Sequence, residues 1–274
     1  MTDTLRPRLS TSSWSLHRAL GLTYPDSPAQ PNSGAAETYG QGGLTLLDVP
    51  DRIASMGIYT LEICHFHFPS RDLGYIAELR GALQSAGVEL FSLLIDDGDI
   101  SDPVNGQRDL DWISSWIETA GLLGARCTRV IAGKSQPSEE ALQRSISGMQ
   151  MLVERGKASG VRVMTENWHS LLSTPDYVRR LINETDIGLC ADFGNWRGAS
   201  KYDDLAAIFP LAESCHAKCS FADGTPNRDD YLRCLDLSKA AGFNGPYTLI
   251  FDSASPDEWN GLTVERQMVQ PYLN

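Results

Sequence analysis

Short apolar runs alternate with longer segments of helical period along almost the whole chain. The short runs, rich in β-branched and aromatic residues, predict strands at 8–16, 59–66, 88–95, 127–133, 161–167, 187–193, 214–221 and 247–253. Helical patterns occupy 44–56, 71–86, 107–123, 138–156, 173–182, 201–209, 227–241 and 256–272. Strict alternation of this kind is typical of parallel strands joined by crossover helices.

The clearest helix follows Ser138, a residue type that often caps helix N-termini. Leu142, Ile146, Met149 and Val153 then recur at the spacing of one helical face. Such a face must be buried, and a barrel wall supplies the apolar surface that it needs.

Eight strand–helix units predict an α/β fold, a (β/α)8 TIM barrel. The chain of 274 residues suits a single domain of that kind, 1–274. An open doubly wound sheet is the rival, but no GxGxxG follows the first strand. The stretch 19–43 is rich in Pro, Gly and Ser, and it predicts a long loop inserted after the first strand.

The charge balance narrows the choice of partners. Lys and Arg total 23 against 35 Asp and Glu, a formal charge of −12, which disfavours nucleic acid as a partner. No apolar run approaches the ~20 residues of a membrane span, and the N-terminus lacks a signal-peptide core, so we expect no membrane and a cytoplasmic location. The six cysteines are dispersed without CxxC pairs, and we expect reduced thiols.

Polar residues come at the ends of the last four predicted strands, where barrel active sites lie. They include Glu166, Asp192, His216 and Asp252. Converging carboxylates repel one another, and a divalent cation removes that conflict. We therefore predict a metal site of these four ligands, with Mn²⁺ preferred and Mg²⁺, Co²⁺, Fe²⁺ or Zn²⁺ as alternatives. Each residue taken alone also has a structural interpretation, such as an Asx turn for Asp192.

The pieces VMTENWHS, GLCADFGNW, CHAK and GFNGPYTLIFD resemble the sugar phosphate isomerase/epimerase superfamily, the xylose isomerase-like barrels that include ketose 3-epimerases and inosose dehydratases. The resemblance covers nearly the whole chain. It implies the same ligand positions, with Glu166 and Asp252 as the catalytic carboxylates, and it implies that His169 and Lys218 bind substrate or act as auxiliary acids and bases. Two departures stand out: Asn195 replaces the usual histidine, and Asp252 replaces the usual glutamate.

The implied reaction is removal of a proton next to a carbonyl, with the enediolate stabilised by the metal. The resemblance therefore makes a sugar or cyclitol the expected substrate. Isomerisation or epimerisation is the expected reaction, and dehydration at the same site is the alternative. Trp14, Trp168 and Trp196 are candidates to stack on a sugar face. The acidic run 96–102 reads as a solvated loop, and no Arg/Lys cluster suits a phosphate, so an unphosphorylated substrate is expected. A homo-oligomer is compatible with the sequence.

A second polar group lies on the second predicted strand: Glu62, His65 and His67. His65 and His67 share a face if the strand continues that far, and an HxH pair is typical of the metal-dependent hydrolases of the amidohydrolase type. We interpret Glu62 and His65 as pocket-wall residues that contact substrate. A sugar-binding barrel without catalysis is the remaining alternative. Endonuclease IV-like repair needs more histidines than the five present.

Overall fold

The computed structural model describes residues 7–273 and forms a closed barrel of parallel strands. The strands are β1 (Arg8–Ser12), β2 (Thr60–Cys64), β3 (Glu89–Leu94), β4 (Cys127–Arg129), β5 (Arg162–Glu166), β6 (Gly188–Asp192), β7 (Ala212–Lys218) and β8 (Pro246–Ile250). Neighbours in the chain pair in the barrel, and β1 closes the ring against β8. The predicted eight-stranded barrel in a single domain is confirmed.

The helices follow the predicted segments and cover the outside of the barrel. They are α1 (Val49–Ser55), α2 (Leu73–Ala86), α3 (Gly106–Leu123), α4 (Glu139–Ser159), α5 (Pro175–Glu184), α6 (Lys201–Ile208), α7 (Arg228–Ala240) and α8 (Glu258–Val269). A short helix, His17–Leu20, and a hairpin of Phe221–Ala222 with Thr225–Pro226 lie outside the sequence prediction. Within residues 7–273, none of the helices combines the length and apolarity needed to cross a membrane.

Helix α4 shows why the capping residue and the apolar spacing predicted a helix correctly. The Ser138 side chain accepts a hydrogen bond from the Ala141 N–H at 3.1 Å, which satisfies one of the free donors of the first turn. Gly160 ends the helix in the left-handed conformation, with φ of 71°. Leu142 and Met149 are fully buried against the barrel, so the face read from the sequence is the packed one.

The stretch 19–43 begins in the short helix and then runs irregularly, with one bridge between Thr23 and Ala36. Asp26 ties it to the barrel, because its carboxylate accepts from the indole N–H of Trp112 at 3.3 Å and of Trp116 at 2.9 Å. Both tryptophans belong to α3. The stretch therefore lies over the β1–β3 side of the barrel.

Two helical glycines are expected to respond oppositely to a methyl group. A Cβ at Gly261 in α8 would come within 2.3 Å of the buried Phe251 ring, whereas a Cβ at exposed Gly81 in α2 meets nothing within 4 Å. We expect Gly261→Ala to lower the free energy of unfolding by about 1–3 kcal/mol through overpacking. We expect Gly81→Ala to raise it by roughly 0.5–1 kcal/mol through helix propensity. Urea denaturation of both variants checks this, and equal effects would contradict the packing of α8.

Candidate active site

The side chains of interest lie where β5, β6 and β7 end, on neighbouring strands of the barrel. Glu166 pairs in register with Cys190, and Asp192 pairs with His216. Because parallel strands all end on one face of the barrel, these registers bring the side chains together. All four are buried.

His216 is the centre of the group. Its Nε2 lies 2.8 Å from the Glu62 carboxylate, and its Nδ1 lies 3.5 Å from Glu166 Oε2 and 3.7 Å from Asp192 Oδ2. Burial would lower the pKa of His216, but the neighbouring acidic groups, Glu166 and Glu62 among them, raise it well above its usual value. The carboxylates thus stabilise a positive charge at this imidazole, which either a proton or a bound cation can supply.

Glu166 has its two oxygens in different surroundings. Oε1 accepts a hydrogen bond from Asn195 Nδ2 at 2.6 Å. Oε2 is ion-paired with Arg129, 3.0 Å from its Nε, but it accepts no hydrogen bond from any group within residues 7–273. Burial would raise the pKa of Glu166, yet His216 and Arg129 outweigh it and hold the pKa below its usual value. The carboxylate is therefore ionised at neutral pH with one oxygen available.

Asp192 serves in two ways. Its Oδ1 accepts from the backbone N–H of Gly194 at 2.5 Å and of Asn195 at 2.8 Å, which is the Asx turn that its sequence context allows. Its Oδ2 remains directed at His216. The Asx turn uses Oδ1 alone and leaves Oδ2 for metal binding, which stays a prediction.

A metal fits part of this group. Glu166, Cys190 and His216 each offer a ligand atom within 4.8 Å of the others. Burial raises the pKa of the Cys190 thiol, which makes it the weakest ligand of the set. Asp192 is not part of this trio, although its Oδ2 lies 3.7 Å from His216 Nδ1. Glu62 lies behind the other imidazole nitrogen, and a carboxylate in that place is typical of metal-bound histidine.

A cavity of about 150 Å³ opens beside this group. Its lining includes several of the predicted residues, namely Trp14, Glu166, Trp168, Asp192, Asn195, His216 and Lys218. Its apolar wall comes from Leu94 and Ile250 together with the two indoles. The volume is roughly ten times what one water requires, which suits a small molecule of monosaccharide size.

Residues 50–243 match the family model of the xylose isomerase-like TIM barrel, which is more than half of the chain. The chain belongs to this family. No curated protein matches it by sequence.

Several solved structures resemble the chain. A xylose isomerase-like TIM barrel protein from Mycobacterium smegmatis in complex with magnesium is 15% identical, with a TM-score of 0.68 over 98% of both chains. L-ribulose 3-epimerase is 16% identical, with a TM-score of 0.69 over 97% of this chain and 94% of its own. The 3-keto-D-glucoside 4-epimerase of E. coli is 18% identical, with a TM-score of 0.62 over 81% and 94%. At these identities the likeness shows the fold.

Within the family fold, Asp252 stands apart from the group that the sequence assigned it to. Its side chain is 37% exposed and is ion-paired with Lys218, outside the residues that line the cavity. Strand β8 ends at Ile250, whose side chain lines the cavity in its place. Two residues beyond a strand end are enough to carry a short Asp side chain to the rim.

The HxH pair does not continue the strand. β2 ends at Cys64, and His65–His67 form a 3-10 turn. His65 accepts from the Asp96 N–H at 3.1 Å, while His67 Nδ1 lies 2.8 Å from Ser13 Oγ. Neither histidine lines the cavity. The geometry that an amidohydrolase-type metal pair requires is therefore not formed.

Two further predicted contacts lie off the cavity. Glu62 is 1% exposed and sits behind His216, so its role in the structure is to hold that imidazole. His169 has a left-handed φ of 60° and packs its ring 4.1 Å from the Trp168 ring, outside the cavity lining. Among the tryptophans, buried Trp196 donates to the Leu172 carbonyl and also lies off the cavity.

Sequence reasoning missed Arg129 and Asp96, both of which line the cavity with side chains only 5% exposed. The interpretation of 96–102 as a solvated loop is wrong for Asp96. Arg129 Nη2 lies 2.6 Å from Asp96 Oδ1. Burial would raise the pKa of Asp96, but Arg129 and His65 hold it below its usual value. The available signal was one arginine within the apolar strand CTRVIAG, since a buried guanidinium requires carboxylate partners.

Two histidines beneath the inserted stretch predict an acid-sensitive step. Burial lowers the pKa of His17 to about 4 and of His67 to about 3. The unfolded chain protonates these imidazoles at higher pH, so the stability that they contribute is present above about pH 6.5 and is lost as pH falls towards 4. We expect the free energy of unfolding of His17→Asn to fall less than that of the wild type between pH 7 and 4.5. Parallel urea-denaturation profiles would contradict this.

Proposed function

We propose that this protein is an isomerase or epimerase of an unphosphorylated sugar or cyclitol, and that it removes a proton from the carbon next to the substrate carbonyl. The observation that carries the proposal is Glu166, a buried and ionised carboxylate with one unpartnered oxygen at a cavity. This carboxylate is already deprotonated at neutral pH, so it can accept a proton from substrate. The printed names of two similar structures, L-ribulose 3-epimerase and 3-keto-D-glucoside 4-epimerase, support the same class of reaction.

A divalent ion belongs to the proposal. Glu166, Asp192 and His216 would hold it, and Mn²⁺ is the first choice because the set combines carboxylate oxygens with one imidazole. A similar structure contains magnesium, so Mg²⁺ is the next. When bound, the ion supplies Lewis-acid stabilisation of the negative charge that develops on the substrate oxygen.

The chain's own groups then have distinct tasks. The Glu166 carboxylate takes the proton from carbon, while the hydrogen bond from Asn195 to Oε1 fixes its orientation. Asn195 does so without adding a charge, which a protonated histidine at this position would bring. Returning the proton from Glu166 to the former carbonyl carbon, together with transfer of the neighbouring hydroxyl proton to the former carbonyl oxygen, completes an isomerisation with a single carboxylate base at carbon.

The wall at β8 bears on the choice between reactions. Epimerisation by two carboxylates needs a second one across the cavity, and that wall offers Ile250. Isomerisation is therefore the better supported reaction. Elimination of a hydroxyl group is the second candidate because Lys218 lines the cavity. Burial would lower the pKa of Lys218, but Asp252 raises it, so its ammonium group can give a proton to a leaving hydroxide.

Solvent-deuterium exchange tests this proposal. The purified protein, stripped of metal and then reloaded with Mn²⁺, is incubated in D₂O with D-fructose, L-ribulose, D-tagatose and 2-keto-myo-inositol. We expect metal-dependent exchange next to the carbonyl of at least one of them. No exchange with any of the four, together with no measurable affinity for Mn²⁺, would contradict it.

A further inference from the structure

Unpartnered polar atoms are concentrated around the cavity. Among the described residues, nine buried side-chain nitrogen or oxygen atoms have no hydrogen-bond partner within the protein. Four of them belong to cavity-lining residues: Trp14 Nε1, Asp96 Oδ2, Arg129 Nε and Glu166 Oε2. The last two lie 3.0 Å apart as an ion pair, so Trp14 Nε1 and Asp96 Oδ2 are the atoms most in need of a partner. Leaving such an atom unpaired is unfavourable, and a ligand that pairs with it removes the penalty.

These atoms differ in what they can pair with. Trp14 Nε1 and Arg129 Nε are donors only, whereas the ionised Asp96 and Glu166 oxygens are acceptors only. A hydroxyl group both donates and accepts, so neighbouring hydroxyls can satisfy both kinds. A carboxylate or phosphate has few or no protons to donate at neutral pH, and the carboxylates of the cavity would repel it.

The Asp96–Arg129 pair is held in place before any ligand binds. Arg129 donates to Asp96 Oδ1 at 2.6 Å and to the Ile95 carbonyl at 3.3 Å. The Asp96 backbone N–H donates to His65 Nδ1 at 3.1 Å, which fixes the turn after β3. Within the described residues, Asp96 Oδ2 and Arg129 Nε make no hydrogen bond, although Arg129 Nε lies 3.0 Å from Glu166 Oε2. A fixed acceptor beside a fixed donor is suited to a vicinal diol.

We propose that Asp96 and Arg129, assisted by Trp14, form a hydroxyl-binding subsite that makes the protein select an uncharged polyhydroxy substrate. This rests on the proposed function, because the subsite would hold the part of the sugar or cyclitol that does not react. The apolar faces of Leu94 and Trp168 lie in the same cavity and suit the C–H groups of such a ring.

Calorimetric titration of the whole protein tests the subsite. The neutral probes are D-fructose and myo-inositol, and the anionic probes are D-fructose 6-phosphate and D-gluconate. We expect the wild type to bind at least one neutral probe at least tenfold more tightly than either anionic probe. We expect Asp96→Asn to bind that neutral probe about ten- to a hundredfold more weakly, through loss of a bond to a charged acceptor.

The neighbouring Asp97 offers a matched control. It pairs with Lys134 at 2.5 Å and does not line the cavity, so Asp97→Asn makes the same change of charge and should bind like the wild type. Trp14→Phe keeps an aromatic ring, smaller than the indole, and loses the N–H, and we expect a three- to tenfold loss of affinity. It also serves as the test should Asp96→Asn fail to fold. Monodeoxy derivatives of myo-inositol should be discriminated by the wild type but less by Asp96→Asn.

Equal binding of neutral and anionic probes, no binding of either neutral probe, or unchanged affinity in the folded Asp96→Asn and Trp14→Phe variants would overturn the subsite. Deuterium exchange separates this from the function. If the wild type exchanges deuterium but the subsite variants bind the neutral probe normally, only the subsite proposal is contradicted. Selective binding without any exchange removes the catalytic proposal alone.

Discussion

Replacing Glu166 with Gln is expected to slow deuterium exchange into substrate by about 10²- to 10⁴-fold. The amide keeps the shape of the side chain and can still face Asn195, but it cannot take a proton from carbon. The rate is measured by following loss of the substrate C–H signal in D₂O with the Mn²⁺-loaded protein. Thermal unfolding of the variant checks that the site is still folded.

Asp252→Asn is the matched control for this prediction. It makes the same acid-to-amide change on the eighth strand's side of the barrel, where the carboxylate pairs with Lys218 at the rim. We expect the exchange rate to change by less than about tenfold, since Asp252 does not line the cavity. A loss in Asp252→Asn as large as that in Glu166→Gln would show that Asp252 acts with Glu166, as the family resemblance implies.

Replacing Arg129 with Met is expected to lower the free energy of unfolding by about 3–5 kcal/mol. The guanidinium is 5% exposed and lies between Asp96 and Glu166, so its loss leaves two buried carboxylates without their cation. Urea denaturation at pH 7 measures the change. The cost should shrink as pH falls below about 4, because removing Arg129 raises the pKa of both carboxylates and their protonation in the variant then removes the unpaired charge.

An exposed pair supplies the comparison for this result. Arg180 makes hydrogen bonds to Glu139 of 2.7 and 2.9 Å on the helical surface. Such pairs are screened by solvent, and Arg180→Met should change the stability little. If Arg129→Met costs no more than Arg180→Met, then the buried cation is not needed by the carboxylates around it.

Most of the fold could be predicted from local pattern. The period of the apolar residues located all eight barrel strands and the helices between them, and α4 begins directly after Ser138, its predicted N-cap. The strand ends were less predictable. Residues 13–16 and 65–67 continue an apolar pattern beyond β1 and β2 but turn into 3-10 helix, since buried turns above a barrel carry the same composition as buried strands.

The residues of the candidate site were predictable only where the position of a single residue at the end of a strand was enough to place it in the site. Glu166, Asp192 and His216 follow from strand position and register. Asp252 depended on where β8 stops, and a difference of two residues moved it to the rim. Arg129 and Asp96 depend on each other across two strands, and such a mutual requirement for charge compensation is not visible in either segment alone.

The position of the deuterium label tests the central claim most directly. The Mn²⁺-loaded protein is incubated in D₂O with whichever of D-fructose, L-ribulose, D-tagatose and 2-keto-myo-inositol it converts, and the product is examined by NMR. We predict one deuterium on carbon in the product, because the proton removed by Glu166 exchanges with solvent before it is returned. Isomerisation places the label on the original carbonyl carbon, and epimerisation places it on the carbon next to that carbonyl. Conversion to product with no deuterium on any carbon would contradict proton abstraction at this site.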